Sequence, residues 1–157
     1  MKIEFLVVGK TQISFVKAGE QEYFKRLKHY IPINYKVIPD VKKGKGRSHE
    51  ELKKKEGEAI LASIQPADIL VLLDEGGKEM SSVEFSKFIN EKLIHGTKRL
   101  VFIVGGAYGF SDDVYKRSQF KLSLSQMTFS HQMVRMIFLE QLYRAFTIIR
   151  GEPYHHE

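Results

Sequence analysis

Residues 100–135 read LVFIVGGAYGFSDDVYKRSQFKLSLSQMTFSHQMVR. Residues 100–104 are an uninterrupted apolar run, the pattern of a parallel strand covered on both faces. Gly105, Gly106 and Gly109 follow at once, so the backbone turns sharply there and a ligand can approach the main chain closely. Ser111 with Asp112 and Asp113 behind it predicts a helix start, since a hydroxyl caps free N–H groups and carboxylates suit the positive end of the helix dipole. A strand over residues 120–124 comes next, then Ser125-Gln126-Met127-Thr128-Phe129-Ser130. Ser130 is the expected N-cap of a long helix reaching about Arg150. Ligands of open parallel sheets bind beyond the carboxyl ends of the strands, so both turns are assigned to one crevice.

The same alternation extends to the N-terminal side. Strands are predicted at residues 3–8, 33–38 and 68–73, and helices at 14–30, 48–64 and 81–95. Ser48 with Glu51 and Ser81 with Glu84 have capping-box spacing. Pro32 marks the end of the first helix, and Asp74-Glu75-Gly76-Gly77-Lys78 reads as a third turn facing the crevice. Gly9-Lys10-Thr11 resembles the end of a phosphate-binding loop, but position 4 is Glu where that motif needs glycine, which excludes the nucleotide-triphosphatase reading. The expected architecture is a single α/β domain over residues 1–157, a mostly parallel sheet of about five strands flanked by helices.

Composition narrows the chemistry. Of 157 residues none is cysteine, which excludes disulfides, thiolate metal sites and a cysteine nucleophile. No apolar run approaches the ~18 residues of a membrane span, and the first strand begins without a signal-peptide pattern, so a cytoplasmic protein with no membrane partner and no metal is expected. A formal charge of +6 and a pI near 9.4 point to an anionic partner, nucleic acid foremost. The most basic segment carries Lys42, Lys43, Lys45 and Arg47, the expected RNA-binding loop.

The last helix is apolar around nearly its whole circumference, which requires burial on more than one side; in a domain of this size the second side is assigned to another subunit, giving a homodimer. Glu140 and Arg144 lie four apart on one helical face and can pair, either as an interface salt bridge or as part of the site.

Taken together, KIEFLVVGK, EYFKRL, KEGE at 55–58, LDEGGK, VFIVGGAYG, LSLSQMTFSHQMVR, EQLYRAF and the closing RGEPYH resemble, over the whole length, the RlmH family of bacterial large-subunit ribosomal RNA methyltransferases in the SPOUT (α/β-knot) superfamily. Ser130 departs from the proline common before the histidine, and either residue begins a helix. The resemblance implies a C-terminal trefoil knot, a dimer, and S-adenosylmethionine (SAM) held at the knot. The implied cofactor contacts are Leu73, Gly105, Leu124, Ser125, Gln126, Met127, Thr128 and Phe129. It also implies methylation of N3 of a pseudouridine in 23S rRNA, on the assembled 70S ribosome. The nucleophile is then an imide nitrogen that must lose a proton, and the candidates for catalysis are His131, Glu140, Arg144, Tyr154 and His155. His155 is placed to accept a proton, Tyr154 to stack on the base, and Arg144 to hold base or phosphate. Two alternatives remain: a ribosome- or RNA-binding α/β protein without catalysis, and an enzyme for another anionic small molecule.

Overall fold

The computed structural model describes residues 1–41 and 48–156. Its elements are β1 (Lys2–Val8), α1 (Ser14–Leu27), β2 (Ile33–Ile38), α2 (His49–Ala62), β3 (Ile69–Glu79), α3 (Ser82–Ile94), β4 (Arg99–Val104), α4 (Asp112–Arg117), β5 (Phe120–Ser123) and α5 (Met133–Ile149). Five strands form one sheet in the order β2-β1-β4-β3-β5, and every neighbouring pair is parallel. The expected α/β architecture is the one observed, and it is parallel throughout.

The apolar runs at residues 5–8 of β1, 69–73 of β3 and 100–104 of β4 follow from helices on both faces. Side chains alternate across each strand. Ile3, Phe5 and Val7 therefore join Phe102, Val71 and the helical residues Leu27, Phe85, Ile89 and Phe138 on the face covered by α1, α3 and α5. Leu6 and Val8 join Val101, Ile103, Ile60 and Val114 beneath α2 and α4. Phe138 anchors α5, its ring centroid 4.7 Å from Phe102 and 5.1 Å from Phe5; burial of such a side chain contributes about 1.5–3 kcal/mol. The amino end of the sheet is pinned by Arg99, which bridges Asp68 at 3.0 Å and Glu4 at 3.5 Å. That leaves the carboxyl end for ligands.

The capping chemistry is unequal. Ser81 and Glu84 form the full reciprocal box at α3, whereas Ser48 accepts from the Glu51 N–H without a return bond described. Ser111 begins α4 with no side-chain cap; its hydroxyl lies 2.2 Å from where a Cβ on Gly57 would stand, so it fills the close crossing of α2 and α4. Ser130 Oγ accepts from the Met133 N–H at 3.1 Å, capping a turn from which α5 starts two residues later than the sequence predicts.

Two boundaries differ for physical reasons. Helix α1 stops at Leu27 rather than Tyr30 because the chain tightens there, the His29 and Tyr30 N–H groups returning three residues back to the Arg26 and Leu27 carbonyls, and buried Ile31 leads into Pro32. Strand β3 does not end at Leu73. It continues to Glu79 through a bulge, because β5 lies alongside and Leu122 pairs with both Leu73 and Lys78. The 74–78 segment is thus an interruption within a strand.

Candidate active site

Beyond the carboxyl ends of β4 and β5, beside the bulge in β3, lies a crevice of about 500 Å³. Its walls come from the bulge after Leu73, the glycine turn after β4, and the segment between β5 and α5. Of the residues expected to hold a cofactor, Leu73, Gly105, Leu124, Ser125, Met127, Thr128 and Phe129 line it, and Gln126 is the member of the set that does not. His131 lines it as well.

Each wall is locally determined. In the glycine turn the Gly109 N–H returns to the Gly106 carbonyl at 3.2 Å, and Gly109 has φ +82°, a conformation open to glycine. Buried Phe110 anchors this turn; a Cβ on Gly105 would stand 3.1 Å from its ring, so glycine lets the strand end and the aromatic meet. After β5, Ser123 Oγ donates to the Ser125 carbonyl at 3.0 Å and Ser125 Oγ accepts from the Met127 N–H at 3.0 Å. These bonds shape a tight turn that leaves Met127 78% exposed at the mouth.

The wall is also charged. Asp74 and Glu75 both line the crevice. Asp74 accepts from the Gly76 N–H at 2.7 Å through Oδ1 and from the Tyr115 hydroxyl through Oδ2. Burial, reinforced by Asp74, pushes the Tyr115 phenol up to about 12. It therefore stays a donor at neutral pH and holds the carboxylate in place. A pocket with two carboxylates and main-chain groups freed of side chains suits a ligand that is partly cationic.

The supports of the third wall were legible only in outline. Arg135 is 0% exposed and spends its guanidinium on main chain. It donates to the carbonyls of His131 at 2.9 Å, Gly9 at 2.8 Å and Val8 at 2.8 Å, and to Thr11 Oγ1 at 3.0 Å. Gln132 Oε1 accepts from the N–H groups of Gln12 at 2.9 Å and Ile13 at 3.0 Å, capping α1, which has no side-chain cap from its own N-cap residue. The segment leading into α5 is thereby fastened to the end of β1. A lone arginine inside the run MVRMIFL was the available signal.

The remaining candidates stand elsewhere. Glu140 Oε1 accepts from Arg144 Nη2 at 2.5 Å and from the Tyr154 hydroxyl at 3.0 Å. Arg144 Nη1 lies 3.3 Å from His155 Nδ1; since a guanidinium only donates, that contact uses the ring nitrogen as acceptor. The guanidinium also lies over the Tyr154 ring at 4.7 Å. Burial foremost, then bonding with Tyr23 and Glu140, drives the Tyr154 phenol far up, and the bond to Glu140 raises Arg144. None of these four residues lines the crevice. Within one chain the five catalytic candidates thus divide into His131 on the crevice and a network of four around the C-terminal tail. Lys42, Lys43, Lys45 and Arg47 lie outside the described residues. Among the described residues no group of three or more His, Asp or Glu could hold a metal ion, and no helix is long and apolar enough to cross a membrane.

Comparison with known proteins agrees in extent with this architecture. A family model described as "Predicted SPOUT methyltransferase" matches residues 1–155. A protein of Parabacteroides distasonis named "Ribosomal RNA large subunit methyltransferase H" is 55% identical over 157 residues, covering 100% of both chains. One of the same name from Christiangramia forsetii is 53% identical over 156 residues, covering 99% of each. The solved structure of "a probable methylase family protein" from Haemophilus influenzae Rd KW20 superposes with a TM-score of 0.56 over 99% of this chain and 70% of its own, at 9% identity, a likeness of fold alone.

Proposed function

The chain belongs to the SPOUT methyltransferase family, and from that premise we propose that it methylates large-subunit ribosomal RNA, with S-adenosylmethionine as donor in the crevice. The observation that carries this reading is the convergence of Leu73, Gly105 and most of the 124–129 segment on one cavity. About 500 Å³ lies within the range of small-molecule sites. The glycine turn offers bare main chain, and Asp74 and Glu75 face the cavity, where positive groups of a ligand settle.

When bound, S-adenosylmethionine supplies a methyl carbon activated by its sulfonium. The protein's share is to align that carbon with the acceptor and keep both still, an effect worth up to about 7–11 kcal/mol. Main-chain groups of residues 124–129 hold the nucleoside, Gln126 included, and Asp74, fixed by Tyr115 and the Gly76 N–H, holds its charge at one wall. The acceptor we assign is N3 of a pseudouridine in 23S rRNA, whose proton must leave. His131 is the candidate base on the crevice wall. Tyr154, His155 and Arg144, arranged around Glu140, act on the crevice of a second copy, where they hold the base.

That arrangement requires a homodimer. Its support is the half-buried apolar residues of α5 such as Met133 and Ile137, which a second copy covers. The same reading includes one SPOUT domain whose C-terminal part is threaded as a trefoil knot, action on the assembled ribosome in the cytoplasm, and RNA contacts from Lys42, Lys43, Lys45 and Arg47.

The test is transfer of labelled methyl from SAM to ribosomes lacking the modification, beside separated subunits and naked rRNA. Incorporation into 23S rRNA, greatest with assembled ribosomes, is expected. SAM binding without incorporation into any of them would leave the donor site standing and remove the rRNA acceptor.

A further inference from the structure

Glu20 lies on the buried face of α1 with Val16 and Leu27. It is 3% exposed, and neither of its carboxylate oxygens has a hydrogen-bond partner among the described residues. A carboxylate buried in this way is costly to the fold. Arg135 is the complementary case. Its buried guanidinium donates to three carbonyls and a hydroxyl, and among the described residues it forms no ion pair.

The fold brings these two charges to one place. Helices α1 and α5 cross closely where a Cβ on Gly19 would collide with the Met136 side chain, and Glu20 and Arg135 are each next in sequence to that crossing. Tyr35, on β2, stands between them. Its ring centroid is 5.0 Å from that of Phe24, which lies one turn beyond Glu20 on the same face of α1. Its hydroxyl is 3.2 Å from Thr11 Oγ1, the atom that accepts from Arg135 Nη1 at 3.0 Å. The Tyr35 phenol registers both charges: burial foremost raises it, the Thr11 bond lowers it, Glu20 raises it and Arg135 lowers it.

The direction of the protons follows from what each group can do. A guanidinium only donates, so Thr11 Oγ1 is an acceptor towards Arg135 and its own proton is free for the Tyr35 oxygen. The phenol proton then turns to Glu20, which has no other donor among the described residues. The opposite orientation leaves the carboxylate unsatisfied.

We propose that Glu20 is a positioning residue for the crevice, the counter-charge that acts through Tyr35 and Thr11 to hold the Arg135 guanidinium on the His131 carbonyl. This role rests on the reading of the crevice as the donor site, and gives a residue that does not line it a part in shaping its third wall. The last link, from phenol to carboxylate, is made directly or through one bridging water.

The experiment compares Glu20→Gln, Tyr35→Phe and the double variant in the full-length protein. Readouts are thermal melting, SAM affinity by calorimetry, and alkaline titration of the Tyr35 ring followed by NMR. Glu20→Gln keeps the shape of the side chain and removes its charge. It is expected to lower Tm, to weaken SAM binding by about 2- to 30-fold, and to let the Tyr35 phenol titrate at lower pH, the signature of the lost carboxylate. Tyr35→Phe should lose a similar share of SAM affinity, and the double variant little more, because both substitutions cut the same chain. Unchanged or raised Tm in Glu20→Gln with full SAM affinity would overturn the proposal, the carboxylate then being a bare cost to the fold. Additive losses in the double variant would overturn it as well. SAM binding without methyl transfer to rRNA would leave it standing. If the unsubstituted protein bound no SAM, the donor-site reading and the crevice role would fall together, while the Tyr35 titration and the melting of the three variants would still decide the link between Glu20 and Arg135.

Discussion

The guanidinium of Arg135, on α5, donates to the carbonyl oxygen of Gly9, at the end of β1, at 2.8 Å across 126 positions of sequence. The same group reaches Val8, Thr11 and His131, so one buried cation joins the first strand to the last wall of the crevice. Arg135→Met leaves three carbonyls without these donors, and an unpaired buried polar group is costly. The expected loss in chemical denaturation is about 1–3 kcal/mol for each group left buried and unpaired, with weaker SAM binding in whatever fraction folds. Arg135→Lys restores only part, because an ammonium cannot reproduce the planar fork. Stability unchanged in Arg135→Met would show that the bonds are dispensable.

Two adjacent glycines in the β3 bulge should respond unequally to alanine. A Cβ on Gly77 would stand 2.6–2.7 Å from main-chain atoms of Lys121 and Leu122, whereas on Gly76 its nearest neighbour is Asp74 Oδ1 at 3.2 Å. Backbone in a paired strand cannot step aside. Gly77→Ala is expected to destabilise by about 1–3 kcal/mol, a fall in Tm of roughly 2–4 °C per kcal/mol for a chain of this size, and Gly76→Ala by less than about 0.5 kcal/mol. Equal melting temperatures would contradict the bulge geometry.

Glu56 and Glu84 make opposite contributions to acid stability. Burial, then the neighbouring Asp40, raises Glu56. The fold therefore favours its protonated form, and its contribution diminishes as pH rises from the ordinary carboxylate range through the raised folded value. Bonding from the Ser81 N–H, then its hydroxyl, lowers Glu84; its stability is present above the ordinary carboxylate range and is lost as pH falls through the lowered folded value. Denaturation midpoints measured from pH 3 to 7 should show Glu56→Gln removing the first slope, raising neutral stability, and Glu84→Gln removing the second. Parallel curves for both variants would refute the assignment.

The tail can be cut where its anchor ends. Glu152 accepts from the Tyr30 hydroxyl, a bond that pushes that phenol up to about 12, so removal of residues 153–157 leaves the end of α5 fastened. The truncated protein should bind SAM with unchanged affinity, since Tyr154 and His155 do not line the crevice of their own chain. It should lose methyl transfer. Full activity would exclude the tail from the site. Tyr154→Phe tests the Glu140 bond separately and should cost about 0.5–1.5 kcal/mol in stability.

The apolar runs at residues 5–8 and 100–104 were enough to state that strands lie buried in a parallel sheet, because a strand covered on both faces is apolar at successive positions. The glycines after β4 and the polar segment after residue 124 likewise announced a crevice at the carboxyl ends. Local chemistry also placed the Ser81–Glu84 box, whose partners are three residues apart. Tertiary structure decided what depends on distant chain. Residues 74–78 read as a terminating turn, and became a bulge because β5 pairs on both sides of them. Arg135 read as one basic residue in an apolar helix, and became the link to Val8 and Gly9 because strand order brings β1 beneath the start of α5. Glu140 and Arg144 announced their pairing by helical spacing, while their gathering of Tyr154 and His155 depended on the tail folding back. A sequence carries periodicity and neighbours directly; contacts between residues more than a hundred positions apart exist only once the sheet has set their separation in space.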